Sequence, residues 1–258
     1  DFKDQKYPPK VLQFYHVLGS SGGIGTYPAN GMKIPHYLQT DYANVPYGSS
    51  NIAACGCGPT SFAMVASYLT GTTITPADAV AWCGNSYYVW GAGTSWSYFE
   101  AAAKHFGCGA VRESYDANEV LKALSEGHPV ISSQHAGLFT RGGHFIVLRG
   151  VENGNKVLVN DPNDSEAKNY INRSFDMASE VDITSDAYFI FERIDTMLKL
   201  KYLFENYGLA KEALENWEHD EDTLDRMLSQ FRISSNAIYP FCQNGEVCFL
   251  RLSPLEEK

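Results

Sequence analysis

The sequence has no run of about 18 consecutive apolar residues, so it offers no membrane-spanning helix. It has no basic stripe either. Its 20 Lys and Arg stand against 30 Asp and Glu, a formal net charge of −10. Nothing is there to neutralise a phosphate backbone, which excludes nucleic acid as a partner. A second close cysteine pair with metal-ligand spacing is missing, which argues against zinc. No signal peptide is visible, and the chain opens on Asp1 rather than Met. The expectation is an excerpt from which a leader or anchor has been removed.

What the chain has is material for one sizeable core. It is 258 residues long and 44% hydrophobic, with 16 Tyr and 14 Phe that point to an aromatic core or groove. Six cysteines fall at 55, 57, 83, 108, 242 and 248. An even count permits disulfides without requiring them. Cys55 and Cys57 are too close for an ordinary bridge. Cys242 and Cys248 flank Asn244-Gly245, where a bridge across a hairpin is an option. The acidic cluster from Glu215 to Asp225 reads as a solvated helix face.

Residues 1–33 are punctuated by Gly and Pro and read as an N-terminal extension. A body follows over 34–194. Within it, TSFAMVASYLT at 60–70 places Phe62, Val65, Ala66 and Leu69 at helical spacing, with Gly58-Pro59 before and Gly71 after. Thr75 caps a short helix that holds Pro76 and Asp78. A third helix spans 95–106, capped by Thr94 or Ser95 and closed by Gly107. A fourth spans 116–126, with Asp116 and Glu119 in capping-box spacing and Gly127 as its stop. Strands come next. Val130-Ile131 follows Pro129, and FIVLRGV at 145–151 and KVLVND at 156–161 enclose Asn153-Gly154 as the strongest hairpin signal. DAYFIFERI at 186–194 is a further strand. Helices first and strands second make an α+β layout. Residues 197–258 return to helical periodicity and close on a candidate hairpin.

Cysteine chemistry needs a thiolate, and a helix N-terminus lowers a thiol pKa. Cys57 has that position, with small Gly56 and Gly58 beside it. Cys55 lies two residues further from the helix and lacks the Gly-Pro. The bland alternative is a buried structural thiol. His144 opens the hairpin. If a two-residue turn sets Glu152 opposite Asn155, Ile146 faces Asp161, and His144 shares a face with Asp161 as its diagonal neighbour. A carboxylate there can hold an imidazole in one tautomer. A three-residue turn would move Asp161 to the other face. Asn163 and then Asp164 are the alternative orienting groups, and NDPND can equally be an Asx-rich turn. His135 is a candidate cleft residue. His105 sits near a helix end, where the dipole explains it, and His16, His36, His128 and His219 read as loop or surface residues.

GCGPTSFAMVASYL at 56–69 resembles the nucleophile motif of bacterial papain-like peptidases related to the double-glycine leader (bacteriocin-processing) peptidases. GGHFIVLRG at 142–150 resembles that family's histidine strand and VLVNDP at 157–162 its aspartate strand. GAGTSWSYFEAAAKHFG at 91–107 and ALSEGHPVI at 123–131 resemble further family segments. The five motifs, in the family's order, span roughly 34–192. The resemblance implies a papain-like fold with the nucleophile helix packed on an antiparallel sheet. It implies Cys57 as nucleophile, His144 as base and Asp161 as orienting acid. It also implies an upstream glutamine as oxyanion donor, for which Gln39 is the candidate because no Gln lies between 40 and 56. Gly93, Thr94 and Trp96 match a segment near the cleft.

The reaction implied is hydrolysis of a peptide or amide bond through an acyl-enzyme, with no cofactor and no metal. A peptide or protein substrate, or a cell-wall peptide, is the expected partner. The expected location is extracellular or cell-wall associated. Two other readings use the same residues: a catalytically inactive peptide- or cell-wall-binding module, and a γ-glutamyl or acyl transferase.

Overall fold

The computed structural model describes residues 24–192 and the backbone of 240–243 and 246–249. The helices expected over 197–232 lie outside the described residues. In chain order the elements are β1 (Asn30–Gly31), a 3₁₀ turn (Gln39–Tyr42), β2 (Pro46–Tyr47), β3 (Ser50–Asn51), α1 (Ile52–Cys55), α2 (Cys57–Thr70) and α3 (Pro76–Ala81). Next come β4 (Tyr88–Val89), β5 (Gly93–Thr94), α4 (Ser97–Phe106), β6 (Val111–Ser114), α5 (Ala117–Ser125) and β7 (Val130–Gln134). They are followed by β8 (His144–Glu152), β9 (Lys156–Asn160), β10 (Ser174–Asp176), β11 (Ser185–Phe191), β12 (Pro240–Gln243) and β13 (Glu246–Phe249). The fold is α+β.

The helix ends follow from their residues. Asn51 accepts from the Ala54 amide to start α1. Gly56 then joins α1 to α2, where a Cβ would come within 2.6 Å of the Ile52 side chain. Gly71, in the left-handed region, closes α2. Thr75 and Asp78 form a reciprocal capping box on α3. Two expected caps differ. α4 starts at Ser97 with Trp96 as its unassisted N-cap, because the Ser95 hydroxyl engages that of Ser97 at 2.9 Å. On α5, Asp116 does cap, accepting from the Asn118 amide, but Glu119 is drawn away by Arg112 and Ser114 of β6. Only half of that box forms.

The main sheet runs β10-β9-β8-β7-β11-β6, all neighbours antiparallel, with β1 added to β8 beyond the end of β7. β6 and β10 were not legible as strands. They are short, and their residues carry no apolar run. Helix α2 lies on this sheet, and the Ser61 hydroxyl donates to the Phe145 carbonyl of β8 at 3.2 Å. Ten α2 residues from Gly58 to Ser67 are buried. Phe62, Phe99, Phe145, Phe189 and Phe191 interlock between helices and sheet, with Phe99 5.0 Å from Phe145 and 4.7 Å from Phe189. Each such ring contributes about 1.5–3 kcal/mol through burial, so the layer that carries β8 and the start of α2 is stiff.

The segment ahead of Ile34 also joins the sheet. Asn30 and Gly31 pair with Val151 and Gly150, and Tyr27 bridges to Gly154. These contacts lie at the turn end of β8, away from His144. Strands β12 and β13 pair with Gln243 opposite Glu246. Cys242 is opposite Val247 and Cys248 opposite Phe241, so the two cysteines are not register partners for the bridge considered from their spacing.

Candidate active site

Cys57 is the first residue of α2, where backbone N–H groups have no partner within the helix. Its flanking glycines are set by packing. A Cβ at Gly58 would meet the Thr94 side chain at 2.7 Å, as one at Gly56 would meet Ile52. Burial alone would push the Cys57 thiol pKa up. A hydrogen bond with His144, the His144 charge and the amides of Phe145 and Gly58 outweigh it and hold the thiol below its ordinary value. The neighbouring Cys55 is held differently. Its thiol donates to the Tyr47 and Asn51 carbonyls at 3.1 and 3.2 Å, and burial raises its pKa. All four described cysteines, at 55, 57, 83 and 108, are free.

His144 opens β8 and is buried. Its Nε2 meets Asp161 Oδ1 at 2.7 Å, which leaves Nδ1 for the thiol. Burial pulls the imidazole pKa down, but the Asp161 and Cys57 bonds and charges win and raise it to about 9. Asp161 is fully buried. Burial would raise its pKa. Its bond and charge pairing with His144, the Asn163 amide (2.8 Å to Oδ1) and Lys168 (3.1 Å to Oδ2) hold it below the usual carboxylate range instead.

The route by which Asp161 reaches His144 differs from the simple hairpin. The turn holds three residues, 153–155, since Glu152 pairs with Lys156. That alone would have sent Asp161 to the far face. A bulge at Arg149, between the Gly150–Leu158 and Leu148–Val159 pairs, slips the register back by one. Val147 then faces Asn160, and the next step puts Ile146 level with Asp161, as the two-residue turn would have done. The alternative orienting groups have other tasks. Asn163 contributes its amide to Asp161. Asp164 accepts from the backbone amides of Ser165, Tyr170 and Ile171 at 2.8, 3.1 and 3.0 Å and anchors the loop.

Gln39 is buried in its 3₁₀ turn, and its amide hydrogen-bonds Pro162 O at 2.7 Å. Its Nε2 donates to the Ala53 carbonyl of α1 at 2.7 Å, while its Oε1 is buried without a partner. It stands beside the element that leads into Cys57, but it is not part of the cleft lining.

A cleft of about 680 Å³ opens over these groups. Cys57, His144 and Phe145 line one end. The β4–β5 hairpin supplies a wall with Val89, Gly93 and Thr94, so the Gly93, Thr94 and Trp96 segment does border the cleft. Trp96 is partly core as well, packing edge-on against Phe189 at 5.7 Å. Glu100, Val111, Glu113, His135 and Asp186 also belong to the lining, with His135 directly after Gln134, the register partner of His144. His135 Nδ1 meets Asp186 Oδ1 at 2.9 Å, an ion-pair geometry that neither residue announced, being 51 positions apart. His36, expected at a loop or the surface, is half-buried, and its Nε2 donates to the Asp161 carbonyl at 2.8 Å. His105 stacks on Trp82 at 4.6 Å, which accounts for it better than a helix dipole. Lys168 was missed as well, because a lysine in a polar loop carries no signal.

Comparison with known proteins places the chain in a class. The Peptidase C39 like family matches residues 32–182, more than half of the sequence. The chain belongs to that family, and membership brings a peptidase-like activity in general and a peptide or protein as substrate. No curated protein matches. Among solved structures, one similar chain is a protein from Bacillus anthracis named for its likeness to C39 peptidases. It is 17% identical over 66% of this chain and 98% of that one, with a TM-score of 0.44, and a likeness of that size carries no argument about the site. No described helix is long and apolar enough to cross a membrane.

Proposed function

We propose that the protein is a cysteine peptidase of papain-like fold in which Cys57, His144 and Asp161 act as nucleophile, base and orienting acid. One observation carries this reading: an imidazole 2.7 Å from a buried carboxylate, beside a thiol at a helix start whose pKa it depresses. The depressed thiol and the raised imidazole both favour a thiolate–imidazolium pair. The thiolate attacks the scissile carbonyl. The Cys57 amide is the proposed oxyanion donor, and Gln39 joins it only if its Nε2 turns from the Ala53 carbonyl toward the cleft. His144 protonates the leaving amine, then takes a proton from the water that releases the acyl group. We assign this activity to residues 34–194, with 1–33 and 197–258 as extensions, and place the protein outside the cell or at the cell wall, where a secreted protein or wall peptide is the substrate.

The test is labelling with a small thiol-reactive electrophile from pH 4 to 9, followed by peptide mass mapping, on wild type and His144→Ala. Rapid modification of Cys57 alone at pH 5–6, lost in the variant, is the expected result. If Cys57 reacts only near pH 8.5, as an ordinary thiol does, the pair does not exist and a peptide-binding module on the same fold becomes the better description.

The cleft also bears on substrate choice. Among the described residues its lining contains Glu100, Glu113 and Asp186 but no Lys or Arg. From β8 across β7 and β11 to β6 are three strand spacings, at least about 14 Å, or about four residues of extended peptide. A basic residue that far from the scissile bond is favoured. Neutralising both Glu100 and Glu113 by Gln is expected to lower kcat/KM about threefold to tenfold for a Lys- or Arg-bearing peptide. The same double variant should leave a neutral peptide unaffected.

A further inference from the structure

The loop after β9 folds Lys168 back over Asp161. Its Nζ lies 3.1 Å from Asp161 Oδ2 and donates to the Asn163 carbonyl at 2.6 Å. The Lys168 amide donates to Ser165 Oγ at 3.3 Å, and the ammonium sits 5.5 Å from the Tyr170 ring centre. Asp161 Oδ1 is already shared by His144 and the Asn163 amide, so Lys168 supplies the side-chain partner of the second oxygen. The carboxylate is fully buried, whereas the lysine side chain retains 29% exposure. A buried carboxylate with one oxygen unpaired is costly, and a strong hydrogen bond to that oxygen fixes the rotation of the carboxyl plane.

We infer that Lys168 is a positioning residue for the Cys57–His144–Asp161 group: it orients Asp161 through Oδ2 and, as a nearby cation, limits how strongly Asp161 holds the proton on His144. This rests on the function proposed above. Among the described residues, His135 follows Gln134, the β7 partner of His144, and pairs with Asp186 of β11 beside the same cleft. Asp161 faces His144 from β8 and Lys168 from its own loop, with His36 on its carbonyl. His144 faces Cys57 from α2. Asp164, the nearest other acid in the loop, is turned to backbone amides. Removing the lysine charge takes a repulsive cation from the neighbourhood of the imidazolium, so the His144 titration moves to higher pH. The shift expected at this range and partial burial is about one pH unit.

The measurement is the His144 ring titration by proton NMR, with its resonance assigned by loss in His144→Ala, on wild type, Lys168→Met and Lys168→Arg. Cys57 labelling rates across pH are followed in parallel. An upward shift of about one unit in K168M, with wild-type behaviour restored in K168R, supports the inference. An unshifted titration in K168M overturns it, and so does equal loss of labelling rate or thermal stability in both variants, since Lys168 is then only a loop latch. Failure of the underlying triad looks different: His144 of the wild type itself titrates near the ordinary histidine value, and Cys57 shows no reactivity at low pH.

Discussion

Cys57→Ala drops hydrolysis by at least about 10⁴-fold, while Cys55→Ala leaves it within about threefold. Two thiols two residues apart make this a sharp comparison. Both lie near a helix terminus, and both belong to the same GCG-containing stretch. Their surroundings differ in kind. The Cys57 sulfur receives donors: His144 and the amides of Phe145 and Gly58 stabilise an anion against the burial that opposes it. The Cys55 thiol points its hydrogen at carbonyl oxygens and has no imidazole beside it, and burial outweighs the backbone hydrogen bonds of Asn51, Ser50 and Ser49 that would lower its pKa. Losing the Cys55 thiol removes one weak hydrogen bond shared between two carbonyls and costs about 1 kcal/mol of stability. On the proposed mechanism, losing the Cys57 thiol removes the atom to which the acyl group would attach. Initial rates on a fluorogenic peptide, with the thermal midpoint of each variant as a control for folding, decide the matter. Retained activity in C57A with loss in C55A would reverse the assignment.

The helical half was legible because its signals are local. Gly-Pro ahead of an apolar 3.6-residue period set the start of α2 at Cys57, and Thr75 with Asp78 set α3. The hairpin was legible as a hairpin, but its register was not. Asn153 and Gly154 both adopt positive φ, yet they sit in a three-residue turn. The compensating bulge at Arg149 depends on contacts far away in sequence. Next to it, Gly150 accepts the backbone of β1 so closely that a Cβ would lie 2.2 Å from the Asn30 carbonyl oxygen. A glycine inside a strand pattern is itself the mark of a bulge or a close approach, so Gly150 was the available clue. The contact between His144 and Asp161 therefore arises by way of two departures from the simple hairpin that cancel. The partners of Asp161 were out of reach for another reason. His36 comes from 125 residues upstream, and Lys168 from a loop with no periodicity. Only the closed fold brings His36 to the Asp161 backbone carbonyl and Lys168 to its carboxylate.

Asp161→Asn should lower kcat by about 10²- to 10⁴-fold with little change in KM. The carboxamide keeps the shape but loses the charge that raises the His144 pKa to about 9. The imidazole then drifts toward its ordinary value near 6.5, and the alkaline limb of the pH–rate profile moves toward acid. The thiolate loses its cationic partner over the same interval, so labelling of Cys57 at pH 7–8 slows as well. The direction is diagnostic, because Lys168→Met moves the same limb toward alkali. Stability gives an independent check. Asp161 titrates below its unfolded value, so its contribution is present above about pH 4 and is lost as pH falls through the folded value. In D161N that acid-side loss disappears: unfolding midpoints between pH 2 and 4 should depend less on pH than in wild type. The asparagine amide now faces the Lys168 ammonium across 3 Å or so, and a buried donor set against a donor lowers stability at neutral pH. A D161N protein with wild-type kcat and an unmoved alkaline limb would remove Asp161 from the mechanism and leave it a structural hub for the loop that carries Lys168.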